Sequence, residues 1–484
     1  MRRAIVGLVL AAATAASGAP ASAAPLRWAP CAAPTPKGFQ CATLHVPADP
    51  AKPTGERWPI ALIRRPADSG RARGSIVVNF GGPGASGVAN LPGFADDLSP
   101  RLRRTFDLVS FDPRGVGASR PLRCNTNFDP VFAADPLSTQ GAAQIVAGYK
   151  ALAADCAARV GPRRLAQLGT NRVVADLDRI RAALGDRKLT YIGLSYGTRL
   201  GAVYANRYPG RVRALVLDGA MDPRADLRAL GVELGRAWDE VLDRVLRLCT
   251  TKPACPLGPD PTVRWDELMA RVRAEPLPAP GDPTGRRLTA GWLYQGTVAL
   301  LVNAGSAPAL WHVIADTLAT GDGTMLLAAA DAAVGRDTAT GAYSNLNAVF
   351  AAVNCLDFPT RPTPDQIAGD ALLAQTIAPR MGAAAVWTDE PLCLDWPVRA
   401  QPVPPATAAG APPTLVIGTT GDPSTPYGWS QRLAMTLHGA RLLTFDGIGH
   451  TTVGRIGGNG SACVDRWVER YLLTRRLPPA GTVC

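Results

Sequence analysis

The run Gly193-Leu194-Ser195-Tyr196-Gly197 has the G-x-S-x-G spacing of a serine poised for acyl transfer. A β-rich stretch, Leu189 to Ile192, precedes it, and a helix-compatible stretch, Thr198 to Tyr208, follows. At a sharp strand–turn–helix junction, glycines let two chain segments pack around a strained serine backbone, and the hydroxyl projects from the top of a sheet. A serine needs a base to be a useful nucleophile near neutral pH, and the chain offers four histidines. His45 lies near the N-terminus in an expected edge strand. His312 follows Trp311 inside a helical segment, and His438 sits beside Gly439 near a helix end, where a cation suits the helix dipole. His450 stands in Gly447-Ile448-Gly449-His450-Thr451-Thr452, just after a late strand, from which a loop can reach back over the sheet to Ser195. His450 is therefore the expected base.

The base needs an acid that orients its ring and stabilises the imidazolium. Asp422, in Gly418-Thr419-Thr420-Gly421-Asp422-Pro423-Ser424-Thr425-Pro426, precedes His450 by one helix-sized connection and gives the chain order Ser, Asp, His. Its rival is Asp218, at the end of another strand, for which turn or cap formation with Gly219 is the favoured reading. The oxyanion of a tetrahedral intermediate needs preorganised donors. One is expected from the backbone N–H of Tyr196. The second is assigned to Gly82, with Gly81 as a near rival, in Phe80-Gly81-Gly82-Pro83-Gly84. That loop lacks the Gly-Lys-Ser/Thr ending of a phosphate-binding loop. Asp112-Pro113-Arg114-Gly115-Val116-Gly117 reads as a rigid polar turn that buttresses the oxyanion loop through buried hydrogen bonds of Asp112 or Arg114.

These groups must be carried by a sheet. Gly74 to Phe80, Phe106 to Phe111, Leu189 to Ile192, Ala214 to Leu217, Thr414 to Ile417 and Arg441 to Phe445 are short apolar runs with helical patterns between several of them. Such alternation predicts an α/β fold whose mostly parallel sheet has helices on both faces. The alternation stops near Asp222. From there to about Ala400 the pattern is mainly helical, and a Pro/Ala-rich linker, Val398 to Pro413, precedes the next strand. The expected organisation is a leader (1–23), a first core segment (24–221), a helical cap insertion (222–404) and a second core segment (405–484).

Arg2 and Arg3, the apolar run Ala4 to Ala16 and Ala21-Ser22-Ala23 match a secretory signal peptide, so an exported, extracellular product is expected. The run is too short to span a bilayer, and Trp28-Ala29-Pro30 before Cys31 is not a lipid-attachment sequence. Ten cysteines in an exported chain imply disulfides, and their order suggests the local pairs Cys31–Cys41, Cys124–Cys156, Cys249–Cys255, Cys355–Cys393 and Cys463–Cys484. No C-x-x-C pair exists, so neither metal nor organic cofactor is expected. The net charge of +12 comes from scattered residues, mostly Arg, with no dense basic tract; this reads as a solvated surface, not a nucleic-acid site.

Gly-Gly-Pro-Gly at Gly81, Asp-Pro-Arg-Gly-x-Gly-x-Ser at Asp112, Gly-Leu-Ser-Tyr-Gly-Thr at Gly193, Val-Leu-Asp-Gly at Val216, Asn-Cys-x-Asp at Asn354, Asp-Pro-x-Thr-Pro at Asp422 and Gly-x-Gly-His at Gly447 occur together. In this combination the chain resembles the secreted tripeptidyl aminopeptidases, α/β-hydrolases related to proline iminopeptidases. The resemblance implies Ser195, Asp422 and His450 as a catalytic triad, a helical cap, and peptide substrates with free N-termini from which tripeptides are released. Phe80 departs from the pattern, since relatives often carry His or Asn there; a polar contact shaping the oxyanion loop is then absent or replaced. An aminopeptidase must also recognise a free amino group, for which a cap carboxylate is suited; Glu233, Glu240 and Asp357 are the candidates. A carboxylesterase or lipase with the same triad is the alternative, and a non-catalytic binding protein on the same scaffold is a third reading. Epoxide hydrolases and dehalogenases use an aspartate where Ser195 stands.

Overall fold

The computed structural model describes residues 26–484 apart from 125–126, 223, 225 and 455–459. The expected signal peptide and its cleavage site lie outside the described residues. In chain order the strands are β1 (Ala29–Pro30), β2 (Gln40–Pro47), β3 (Arg57–Arg65), β4 (Ser75–Asn79), β5 (Asp107–Phe111), β6 (Leu189–Leu194), β7 (Val212–Asp218), β8 (Leu277–Pro278), β9 (Arg287–Leu288), β10 (Leu415–Gly421) and β11 (Arg441–Ile448). Nine of them form one sheet in the order β1-β2-β3-β5-β4-β6-β7-β10-β11, and β8 pairs with β9 alone.

The six strands read from the sequence form the parallel part, from β5 to β11. Every residue of β4 and β6 is buried, as near-continuous apolar runs require when both faces are covered. Side-chain alternation divides the core. Ile76, Val78, Ile192, Leu194 and Val216 pack against Leu91, Phe94, Val464 and Val468 on one face. Val77, Tyr191, Leu215 and Leu217 meet Val174, Leu177, Leu200 and Tyr204 on the other. Beyond β5 the sheet continues into antiparallel β3, β2 and β1, which the sequence reading does not contain apart from the strand around His45. Trp58, Ile60 and Leu62 alternate inward along β3, yet Pro59 interrupts its apolar pattern.

Between β7 and β10 the chain is mainly helical. The long helix Leu227–Thr250 begins at an Asp226 cap, whose side chain accepts from the Ala229 N–H at 2.8 Å. It buries Leu230, Trp238, Val241, Leu242 and Val245, one stripe at helical spacing. All five local disulfides are formed as the cysteine order suggests. Cys355–Cys393 joins helix Leu346–Asp357 to the turn Glu390–Cys393, and both border the cavity described below.

The polar turn after β5 has two separate jobs. Asp112 accepts from Ser86 Oγ at 2.6 Å and from the Val88 N–H at 3.1 Å, and so holds the far end of the Gly81–Ser86 loop. Arg114 instead points to the opposite side, where its fully buried guanidinium makes a two-pronged pair with Asp176 and donates to Pro47 O at 2.8 Å. Removing one member of a buried pair strands the other charge, at a cost of roughly 3–5 kcal/mol. Arg114→Met is expected to lower unfolding free energy by about that amount in denaturant titration; a loss below about 1 kcal/mol would show that Asp176 finds another partner.

Candidate active site

Ser195 links β6 to helix Tyr196–Arg207 with φ at 56° and ψ at −124°, a left-handed conformation that costs a non-glycine residue about 1–3 kcal/mol. Its surroundings hold it there. The Ser195 N–H donates to Asp218 O at 2.9 Å, and Ser195 O accepts from the Thr198 N–H at 2.9 Å and from Thr198 Oγ1 at 2.6 Å. A side chain at Gly193 would lie 2.3 Å from Gly197 O, and one at Gly197 would lie 2.8 Å from Asn79 O. Only glycine at both positions lets the turn close.

The His450 ring stands on the loop after β11. Its Nδ1 lies 2.9 and 3.0 Å from the two oxygens of Asp422, the first residue after β10. Asp422 also accepts from the N–H groups of Ser424 (2.8 Å) and Thr425 (2.9 Å) and from Thr425 Oγ1 (2.8 Å). These donors favour its charged form and fix its orientation. The His450 N–H donates to Val302 O at 2.9 Å, which ties this loop to the helical insertion. Burial pulls the imidazole pKa down, but Asp422 and Asp218 outweigh it, leaving His450 above its ordinary 6.5.

Asp218 does more than shape a turn. It is fully buried at the end of β7, and its Oδ2 accepts from the N–H groups of Thr452 (2.6 Å) and Val453 (2.7 Å), stapling the His450 loop to the sheet. The favoured turn-or-cap reading is corrected accordingly: the contact joins positions more than two hundred residues apart, beyond any local pattern.

Ser195 and His450 line one cavity of about 360 Å³, together with Gly82, Thr425 and Asp389 and walls that include Leu230, Trp238, Phe350 and Trp429. The loop after β4 passes tightly over the serine turn, since a Cβ at Gly81 would lie 2.8 Å from Ser195 Cβ and 3.2 Å from the Tyr196 nitrogen. The Gly81 N–H is engaged by Asn79 Oδ1 at 3.1 Å, whereas Gly82 borders the cavity. Phe80 packs edge-on against Phe94 at 5.3 Å, and the polar hold on this loop comes from Asn79.

None of the three carboxylates expected to meet a substrate amine is among the cavity-lining residues. Glu233 faces outward, accepting from Trp429 Nε1 at 2.5 Å and pairing with Arg432. Glu240 is exposed on the solvent side of helix Leu227–Thr250. Asp357 is buried behind the serine turn, where it accepts from the Thr170 N–H at 3.0 Å and pairs with Arg199 at 3.4 Å; Thr170 in turn meets the Tyr196 hydroxyl at 2.5 Å. The correction is geometric: helical spacing gives the buried stripe of a helix but not which neighbour the polar face meets. The sequence reading missed Asp389, whose signal was an Asp-Glu pair closing the apolar run Gly382 to Trp387.

Burial raises several acids here: Asp218 is pushed up to about 6 and Asp389 to about 7, while burial and the neighbouring Asp370 push Glu390 up to about 9. Unfolded, these groups return to about 4. The native state therefore holds more protons, so their stabilisation is complete below about pH 4 and is lost as pH rises through the folded values. His450, also raised, acts in the same direction. The Tm is expected to be higher at pH 5.5 than at pH 8.5 in matched salt; the reverse order would contradict these environments.

A family model described as "TAP-like protein" matches residues 378–484. The chain is 39% identical to "Serine protease Hip1" of Mycobacterium tuberculosis (strain ATCC 25618 / H37Rv), covering 95% of this chain and 91% of that protein. It is 38% identical to "Carboxylesterase B" of the same strain over 92% and 86% of the two chains. "Tripeptidyl aminopeptidase" of Streptomyces lividans is 31% identical over 97% of this chain and 88% of that one. The chain belongs to the tripeptidyl aminopeptidase family of α/β-hydrolases. As a member of that family it is a serine hydrolase, of the tripeptidyl aminopeptidase-like peptidase type. No helix among the described residues is long and apolar enough to cross a membrane.

Proposed function

We propose that the protein is an exported serine exopeptidase that releases short peptides, tripeptides in particular, from free N-termini. The observation that carries this reading is the Asp422–His450 pair, with Nδ1 2.9 Å from the carboxylate and His450 lining the same cavity as the strained Ser195. Ser195 Oγ attacks the scissile carbonyl while His450 takes its proton. Asp422 holds the imidazole and stabilises its charged form. The N–H groups of Gly82 and Tyr196 receive the oxyanion, Gly82 being the loop donor because the Gly81 N–H is occupied. His450 then gives its proton to the leaving amine. A water, deprotonated by His450, attacks the acyl-enzyme, and Ser195 leaves with that proton as the peptide acid departs.

The helical insertion between β7 and β10, taken as residues 222–404, acts as a cap, with Leu230, Trp238 and Phe350 walling the cavity that holds Ser195. Five disulfides support export. Mass spectrometry of products from a long free-amine peptide and its N-acetylated twin tests the reading. Three-residue pieces from the free form alone are expected; internal cleavage of both forms would overturn it. The apolar cavity walls and the "Carboxylesterase B" relative favour ester hydrolysis as a second reading. Strong turnover of short acyl esters with no release from tripeptidyl anilides would select it.

A further inference from the structure

Among the described residues lining the cavity, Asp389 is the single carboxylate. It ends helix Gly382–Asp389, and its carboxylate has no hydrogen-bond or ion-pair partner among the described residues. The cavity it lines is walled mainly by apolar side chains, among them Leu227, Leu230, Leu234, Trp238, Phe350 and Leu392. A carboxylate held in such surroundings without a partner is costly, and a cation entering the cavity relieves that cost. The end of a helix adds to the effect, since its last carbonyls also favour positive charge.

We propose that Asp389 binds the ammonium group of the substrate's N-terminus, and that the apolar walls between it and Ser195 select uncharged, apolar side chains in the released piece. This inference rests on the exopeptidase reading above and gives that reading its substrate class: peptides with a free amine followed by apolar residues. The ammonium fixes one end of the chain at Asp389 while the carbonyl to be cleaved lies at Ser195. An acidic side chain in the intervening stretch meets the Asp389 carboxylate and low-dielectric walls, and is rejected on both counts.

The test compares a tripeptidyl p-nitroanilide with apolar side chains, its N-acetyl form, and a version with Glu at the N-terminal position, using the wild type and Asp389→Asn. Fluorophosphonate labelling of Ser195 reports that each variant is folded. The wild type is expected to prefer the free amine over the N-acetyl form by about 100-fold in kcat/KM. In Asp389→Asn that preference should collapse to within a few-fold, mainly through a raised KM, and discrimination against Glu should weaken. A labelled Asp389→Asn enzyme that keeps the full free-amine preference overturns the assignment to Asp389 and leaves the exopeptidase reading standing. A wild type indifferent to N-acetylation overturns that reading and the assignment together. Should Asp389→Asn not fold, Asp389→Glu decides: displacing the charge by one methylene is expected to raise the free-amine KM about five-fold or more, and an unchanged KM overturns the proposal.

Discussion

Ser195→Ala is expected to lower kcat/KM by roughly 10⁶-fold and to abolish fluorophosphonate labelling, with the fold intact. Alanine at this position carries the same φ of 56° as the serine, so no new backbone strain is introduced. What disappears is the oxygen that forms the acyl-enzyme, and with it the split of amide hydrolysis into two easier steps. A residual rate of about 10³-fold over water should persist from the oxyanion donors and substrate positioning. Ser424 is the control, because it also lines the cavity and its N–H donates to Asp422 at 2.8 Å. It lies on the acid's loop and not at a strand–helix turn. Labelling that survives in Ser195→Ala but vanishes in the double variant with Ser424→Ala would transfer the nucleophile to Ser424.

Asp422→Asn should reduce kcat by about 10⁴-fold. The carboxylate accepts from His450 Nδ1, from two backbone N–H groups and from Thr425 Oγ1. An amide in its place presents N–H to Nδ1, so the ring proton moves to Nε2 and the base faces Ser195 in the wrong tautomer. Asp218 is not the group at Nδ1: both oxygens of Asp422 lie within 3.0 Å of that nitrogen, while Asp218 Oδ2 holds the Thr452 and Val453 N–H groups. The pH profile separates this from a structural loss. Catalysis needs the neutral imidazole, and the wild-type His450 pKa lies above 6.5, so the acid limb of kcat/KM should inflect above that value. With Asp422 neutral, one of the two charges raising that pKa is gone, and the inflection should move to lower pH. Loss of activity with the acid limb unmoved would mean that His450 is not the titrating base.

The triad candidates were legible because each rests on a local signal. G-x-S-x-G between an apolar run and a helical one announces Ser195. With only four histidines, the glycine-bearing loop after a late strand singles out His450, and chain order then favours Asp422. Six parallel strands were visible because burial on both faces demands unbroken apolar runs. The disulfides followed from the order of the cysteines, since each bond closes a loop of 38 residues or fewer. β2 and β3 lie at the sheet's edge, where that run is diluted and Pro59 breaks it.

The amine candidates Glu233, Glu240 and Asp357 show where local pattern stops. A carboxylate's role depends on which element faces it, and in the helical insertion that is set by how helices rotate and cross. Glu233 turned toward Arg432 on the outside, Asp357 toward Thr170 beneath the serine turn, and Asp389 into the cavity. The same holds for Asp218, whose partners in the His450 loop lie more than two hundred residues away. The sequence by itself determined the fold class, the disulfide pairs and three chemical groups suited to acyl transfer, because periodicity, cysteine order and turn chemistry act over a few residues. The tertiary structure alone decided which carboxylate enters the cavity and which holds the histidine loop, because those choices depend on contacts between segments far apart in the chain.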